Sequence, residues 1–173
     1  MRGCHAARFV MLLVSWGLAA GGLDARAAEH RGRSESKRGR SLEDRVPALQ
    51  EARVGARQRL DHPACQAVLA DFTDIRGRRL DVVLRDSGRT AQEQLDRLEF
   101  ESGLGRPACR GAVMAFTRMR SSVVSICLRP FGALTPAQQE AILIHEMLHS
   151  LGLGENPPES AAITAQVVKR CGH

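Results

Sequence analysis

TPAQQEAILIHEMLHSLGLGENPP, residues 135–158, is the stretch that decides how this chain of 173 residues is read. Thr135 is a natural helix N-cap, Pro136 suits the first helical position because its missing N–H would be unpaired there anyway, and Gln138 completes a capping box. The spacing predicts a helix from Pro136 to Leu151, ended by Gly152. Ile142, Ile144, Met147, Leu148 and Leu151 make the helix apolar enough to require burial against a core. His145 and His149 then lie one turn apart on the same face, with Glu146 beside them.

Two imidazoles at that spacing can reach a single ion. Zinc (Zn2+) fits best, because it is redox-inert and suited to imidazole nitrogen with one position left open. Glu146 is close enough to accept a proton from water at that position without being a ligand, so it is the candidate catalytic residue. A catalytic zinc usually has three protein ligands. His5 falls in an N-terminal signal and His30 in a charged linker, which leaves Glu155, Glu159, His62 and His173. Gly152 can reverse the chain in the left-handed conformation and Gly154 adds freedom, so Glu155 is the expected third metal ligand with His145 and His149.

HEMLHSLGLGE, residues 145–155, resembles the extended signature H-E-x-x-H-x-x-G-x-x-H/D of metzincin-type zinc metallopeptidases. Gly152 falls in register. Glu155 stands where that family has His or Asp, and no methionine follows Met147 to form the family's Met-turn. The chain is also similar, over about Cys65–Cys171, to short secreted bacterial proteins ending in HExxHxLGLGENPP, a short helix and a cysteine. The resemblance implies a zincin-like α+β domain in which the HExxH helix carries the active site. The other zincin arrangement, with a glutamate ligand some way beyond the second histidine, finds Val168 in that region and no acidic residue.

Before this helix, Ala112–Thr117 and Val123–Leu128 read as an antiparallel hairpin rich in strand-forming residues. Thr90 and Glu93 form a capping box that opens a helix with Leu95 and Leu98 inward, ended by Gly103 and Gly105. Arg79–Leu84 is ambiguous between strand and helix. Pro63 can start a helix carrying Cys65, Val68 and Leu69, which places the start of the compact domain near Asp61. After the helix, Ser160 can cap a final segment with Ile163, Val167 and Val168 on one side. Residues 61–173 are thus read as a mostly helical α+β domain with one short hairpin.

The beginning of the chain reads as a secretory signal, 1–27. Arg2 and Arg8 precede an apolar run, Phe9–Leu23, and Ala25-Arg26-Ala27 offers a cleavage site. The run is shorter than the roughly 20 apolar residues of a membrane span. A secreted or periplasmic protein cleaved near Ala27, with no stable membrane insertion, is expected. Residues 28–60 read as a basic linker or propeptide, partly disordered, with a loosely helical pattern from Leu42 to Leu60.

Cleavage removes Cys4 and leaves Cys65, Cys109, Cys127 and Cys171 in a compartment that permits disulfides. Of the three possible pairings, Cys109–Cys127 would clamp the hairpin and Cys65–Cys171 would tie the domain's start to its end. The formal net charge of +6 is reduced when Arg2, Arg8 and Arg26 leave with Asp24. No aromatic residues interleave with the early arginines to stack on bases, so a nucleic-acid arm is disfavoured. A secreted zinc-dependent peptidase acting on a peptide or protein substrate is the leading expectation. The alternative is a non-catalytic, zinc-stabilised binding module, in which Glu146 has no chemical role. The chain has no tyrosine, so an oxyanion would need another donor.

Overall fold

The computed structural model describes residues 41–172. The signal, its cleavage site, the charged stretch 29–40 and His173 lie outside the described residues. The architecture is α+β, helices packed with a small sheet. In chain order the elements are α1 (Leu42–Arg45), α2 (Pro47–Arg59), α3 (Pro63–Gln66), α4 (Val68–Asp71), α5 (Leu80–Asp86) and α6 (Ala91–Asp96). There follow β1 (Glu99–Ser102), a 3-10 turn (Pro107–Arg110), β2 (Ala115–Thr117), β3 (Val123–Ile126), α7 (Leu128–Gly132), α8 (Pro136–Ser150) and α9 (Ser160–Cys171).

Helix α8 is the central element. Its N-terminus has the predicted capping box, in which Thr135 and Gln138 each bond to the other's backbone amide. Its interior is buried without interruption from Ala141 to His149, as an apolar helix requires when it is surrounded. α2, α6, α9 and β2 all pack against it. Gly55 of α2 allows one of these approaches, since a β-carbon there would collide with the Glu140 side chain. Arg59 then bonds both to Glu140 and to the carbonyl of Cys171, linking α2 to α8 and α9.

The placement of α2 corrects the expected domain start. Residues 42–60 are two helices rather than linker, with Leu49, Ala52, Ala56 and Leu60 fully or almost fully buried. Small alanines make up half of that buried set, so the stripe is inconspicuous among the charges. Pro47 sits in the first turn of α2, where a proline costs nothing.

The sheet has the order β1-β3-β2. β2 and β3 form the predicted hairpin, with Ala115 opposite Ile126 and Thr117 opposite Val124. β1 pairs parallel to β3, Glu99 opposite Val123, where the sequence pattern had continued a helix toward Gly103. The helix capped by Thr90 and Glu93 ends earlier, at Asp96, and Leu95 and Leu98 are buried as expected. The ambiguous segment at Arg79–Leu84 is helical, as α5.

Both expected disulfides are formed, Cys65–Cys171 and Cys109–Cys127. The first closes a loop spanning 106 residues, for which chain entropy alone suggests a stabilisation of about 4–5 kcal/mol. Beside it, Arg170 of α9 donates two hydrogen bonds of 2.7 Å to Asp71 of α4. Among the described residues, no helix is long and apolar enough to cross a membrane. If α2 belongs to the core, Leu49→Ala should lower unfolding free energy by about 2–5 kcal/mol, measured by urea denaturation with the disulfides intact. A linker residue in its place would leave stability unchanged.

Candidate metal centre

His145, Glu146 and His149 belong to the last two turns of α8 and are 3%, 4% and 5% exposed. Beyond them α8 stops at Gly152, whose φ of +108° is a conformation that side chains rarely adopt. The chain reverses there, and the reversal brings Glu155 back to the histidines. His149 Nε2 is 3.3 Å and His145 Nε2 is 3.6 Å from Glu155 Oε1, and the two Nε2 atoms are 2.9 Å apart. Among the described residues this is the one group of His, Cys, Asp or Glu in which three ligand atoms converge.

The other sequence candidates lie elsewhere. His62 caps α3 and lines a small hollow beside the Cys65–Cys171 bridge. Glu159 is exposed at the N-cap of α9.

The outer ring nitrogens orient the imidazoles. His149 Nδ1 lies 2.8 Å from the Leu153 carbonyl. A carbonyl only accepts, so Nδ1 carries the proton and a neutral ring presents a bare lone pair at Nε2. His145 Nδ1 lies 2.9 Å from the Thr164 hydroxyl of α9. A hydroxyl both donates and accepts. It can therefore accompany either tautomer of His145, including the one in which His145 Nε2 also presents a lone pair to the common point. Partners of this kind fix ring orientation at metal sites. The sequence reading missed both Thr164 and Leu153, and the only signal for Thr164 was a polar residue within the apolar stripe of α9.

Burial sets the protonation of the inner groups. It holds the His145 imidazole down to about 4, with the positive charge of His149 acting in the same direction and Glu155 against it. Burial pushes the Glu146 carboxyl up to about 8, reinforced by the negative charge of Glu155 and opposed by the Thr117 backbone. Glu146 Oε2 is buried without a hydrogen-bond partner. The same side chain borders two cavities. One, of about 280 Å³, runs past His145 to Ile142 and Thr164. The other, of about 590 Å³, runs past His149 and Glu155 to Arg118.

The donor set suits zinc. Ligands about 2.0–2.2 Å from a tetrahedral ion stand about 3.3–3.6 Å from one another. The two imidazole–carboxylate separations fall in that range, and the imidazole pair is slightly closer. Two nitrogens and one carboxylate oxygen also form a common catalytic zinc set. Compared with protein-family models, curated proteins and solved structures, the chain matches none.

The raised Glu146 carboxyl has a consequence for the metal-free chain. The folded state holds that proton at pH values where the unfolded chain has released it, so stability is lost as pH rises from the ordinary glutamate range toward 8. Glu146→Gln should remove this loss, seen as a flatter pH dependence of the metal-free melting temperature over that interval. Equal slopes for the two proteins would show that Glu146 is not buried as described.

Proposed function

We propose that the protein is a secreted zinc-dependent peptidase, with His145, His149 and Glu155 as metal ligands and Glu146 as general base. The observation that carries this reading is the convergence of three ligand atoms next to a buried carboxylate oxygen that has no partner, on a side chain that borders two cavities. A structural zinc site would use closed coordination and would have no need of a buried, unpaired glutamate. A zinc ion held there would supply a Lewis acid that makes water nucleophilic near neutral pH and polarises a carbonyl.

The chain's own residues supply the rest. Burial leaves Glu146 with little solvent to compete for the proton it accepts, and a positive charge among the three ligands favours its carboxylate form. The same carboxyl, bordering both cavities, would then return that proton to a leaving amine. Arg118, at the rim of the larger cavity, and backbone amides are the remaining candidates to stabilise an oxyanion in a chain without tyrosine.

A peptide substrate is favoured by β2, the outer strand beside α8. Cys127 donates to the Met114 carbonyl, so Met114–Cys127 is a hydrogen-bonded pair and Phe116–Ser125 is the next. The backbone groups of Ala115 and Thr117 therefore point away from β3; the Thr117 amide is engaged by Glu146, which leaves the Ala115 groups and the Thr117 carbonyl along that edge. An extended peptide can add there as another strand. Secretion is supported by the signal-like sequence 1–27 and by the two disulfides.

His145→Ala or His149→Ala should abolish stoichiometric zinc, and Glu155→Ala should weaken it, whereas His62→Ala leaves it intact, as measured by metal analysis after equilibrium dialysis. Normal binding by Glu155→Ala together with loss in His62→Ala would overturn the ligand set. Separately, Glu146→Gln should keep zinc and fold but reduce cleavage of an unstructured protein by about 100-fold or more, the usual worth of a general base. A variant that cleaves as fast as wild type would remove Glu146 from the mechanism. One zinc per chain with no cleavage of any peptide would favour the binding module.

A further inference from the structure

Asp74 lies outside every motif read from the sequence, yet its side chain is completely buried. Its Oδ1 accepts from the backbone amides of Arg76 at 2.8 Å and Arg78 at 3.0 Å, which closes the tight turn at Gly77. Its Oδ2 accepts from the Arg78 guanidinium at 3.2 Å and from Arg120 at 3.4 Å. A buried carboxylate with this many donors is held in one orientation.

Three separate segments meet at this carboxylate. The first is its own turn, which pairs with the helix reversal through a bridge between Asp74 and Leu153 and a bond from the Ile75 amide to the Gly152 carbonyl. The second is the β2–β3 connection, where Arg120 has a positive φ of 64° and donates its amide to the His149 carbonyl at 3.0 Å. The third is the reversal itself. A β-carbon on Gly152 would come within 3.3 Å of both the Arg120 Nε and the Asp74 Cβ, so the reversal is packed closely between these two residues. Leu153, the residue paired with Asp74, gives its carbonyl to His149 Nδ1, and Glu155 follows two residues later.

We propose that Asp74 is a positioning residue of the metal centre. Through Arg120 and the backbone of residues 152–153 it fixes His149 in the Nδ1–H tautomer and sets the path that delivers Glu155. This rests on the reading of His145, His149 and Glu155 as a metal site. The role is transmitted entirely through other groups, since Asp74 touches none of the three. Neither member of the Asp74–Arg120 pair belongs to the apolar core.

The test uses the full disulfide-bonded chain and four proteins. These are wild type, Asp74→Asn, Arg120→Ala and Leu42→Ala, the last a core truncation in α1, which packs on α2 and β1. Asp74→Asn keeps the shape and removes the charge, and should raise the zinc dissociation constant by about 10–100-fold, the usual effect of losing an outer support. It should also shift the visible spectrum of the cobalt-loaded chain. In the metal-free chain at pH 8, nitrogen NMR should show the His149 ring changing from one tautomer to a mixture. Arg120→Ala, at a half-exposed side chain that folding tolerates, should move all three readouts in the same direction. Leu42→Ala should lower the melting temperature and move none of them. Wild-type affinity and a single tautomer in both Asp74→Asn and Arg120→Ala would overturn the proposal, as would equal losses in Leu42→Ala. If wild type takes up no zinc, the metal reading fails, and the ring-nitrogen spectrum alone decides the role of Asp74.

Discussion

Three titratable side chains are buried within five residues of one helix, and the rest of the domain is arranged around that constraint. An ionised group in the interior costs several kcal/mol unless it is paired, and α8 is enclosed by α2, α6, α9 and β2. Each histidine has its outer nitrogen on a partner, and burial disfavours the charged form of His145. Glu146 meets the constraint by holding its proton. The negative charge at the centre belongs to Glu155, whose side chain is 41% exposed. The imidazoles thus sit inside and the anion sits at the mouth.

The partners of the two imidazoles are held in place by two different parts of the fold. Thr164 is carried by α9, which is anchored to the beginning of the domain by Cys65–Cys171 and by the Arg170–Asp71 pair. Leu153 is held by the turn around Asp74. The second disulfide ties the segment before β2 to the end of β3, and β2 is the strand that lies against α8. The covalent ties therefore act on the elements that face the site helix. α8 itself needs none, because its burial and its capping box already determine its position.

Helix α8 was legible in the sequence because its start, its apolar face and its glycine stop agree on one answer, and the histidine spacing follows from the helix. The sequence left three cysteine pairings open; the one it favoured, because the hairpin brings one pair together and leaves the other, is the one formed. β1 was not legible. Glu99–Ser102 is short and mostly polar, and the strand it pairs with, the parallel β3, is remote in sequence, so no local pattern marks it. The helical pattern over Leu42–Leu60 was read only loosely and its burial in the domain was missed, since Ala52, Ala56 and Gly55 allow close approach by being small and so leave no strong periodic signal. At the site, the residues predicted to bind metal do converge. Thr164, Asp74 and Arg120 could not be found beforehand, because a threonine hydroxyl or a carboxylate acquires an orienting role only when folding places it beside another segment.

A glutamate at residue 155 shapes the electrostatics of the centre. Glu155 completes the set of ligand atoms, but its negative charge is also one reason the Glu146 carboxyl stays protonated in the metal-free chain. A divalent cation held there would act on both carboxyls in the opposite sense, favouring the ionised form of Glu155 and loss of the Glu146 proton. Ion uptake and formation of the basic carboxylate are then coupled through one residue. A longer carboxylate on a chain reversal also needs its backbone held more firmly than a side chain on a helix would, because it has more rotatable bonds to order. The packing of Gly152 between Asp74 and Arg120 provides that restraint, and it explains why a tightly organised turn lies outside the site yet directly behind its third ligand.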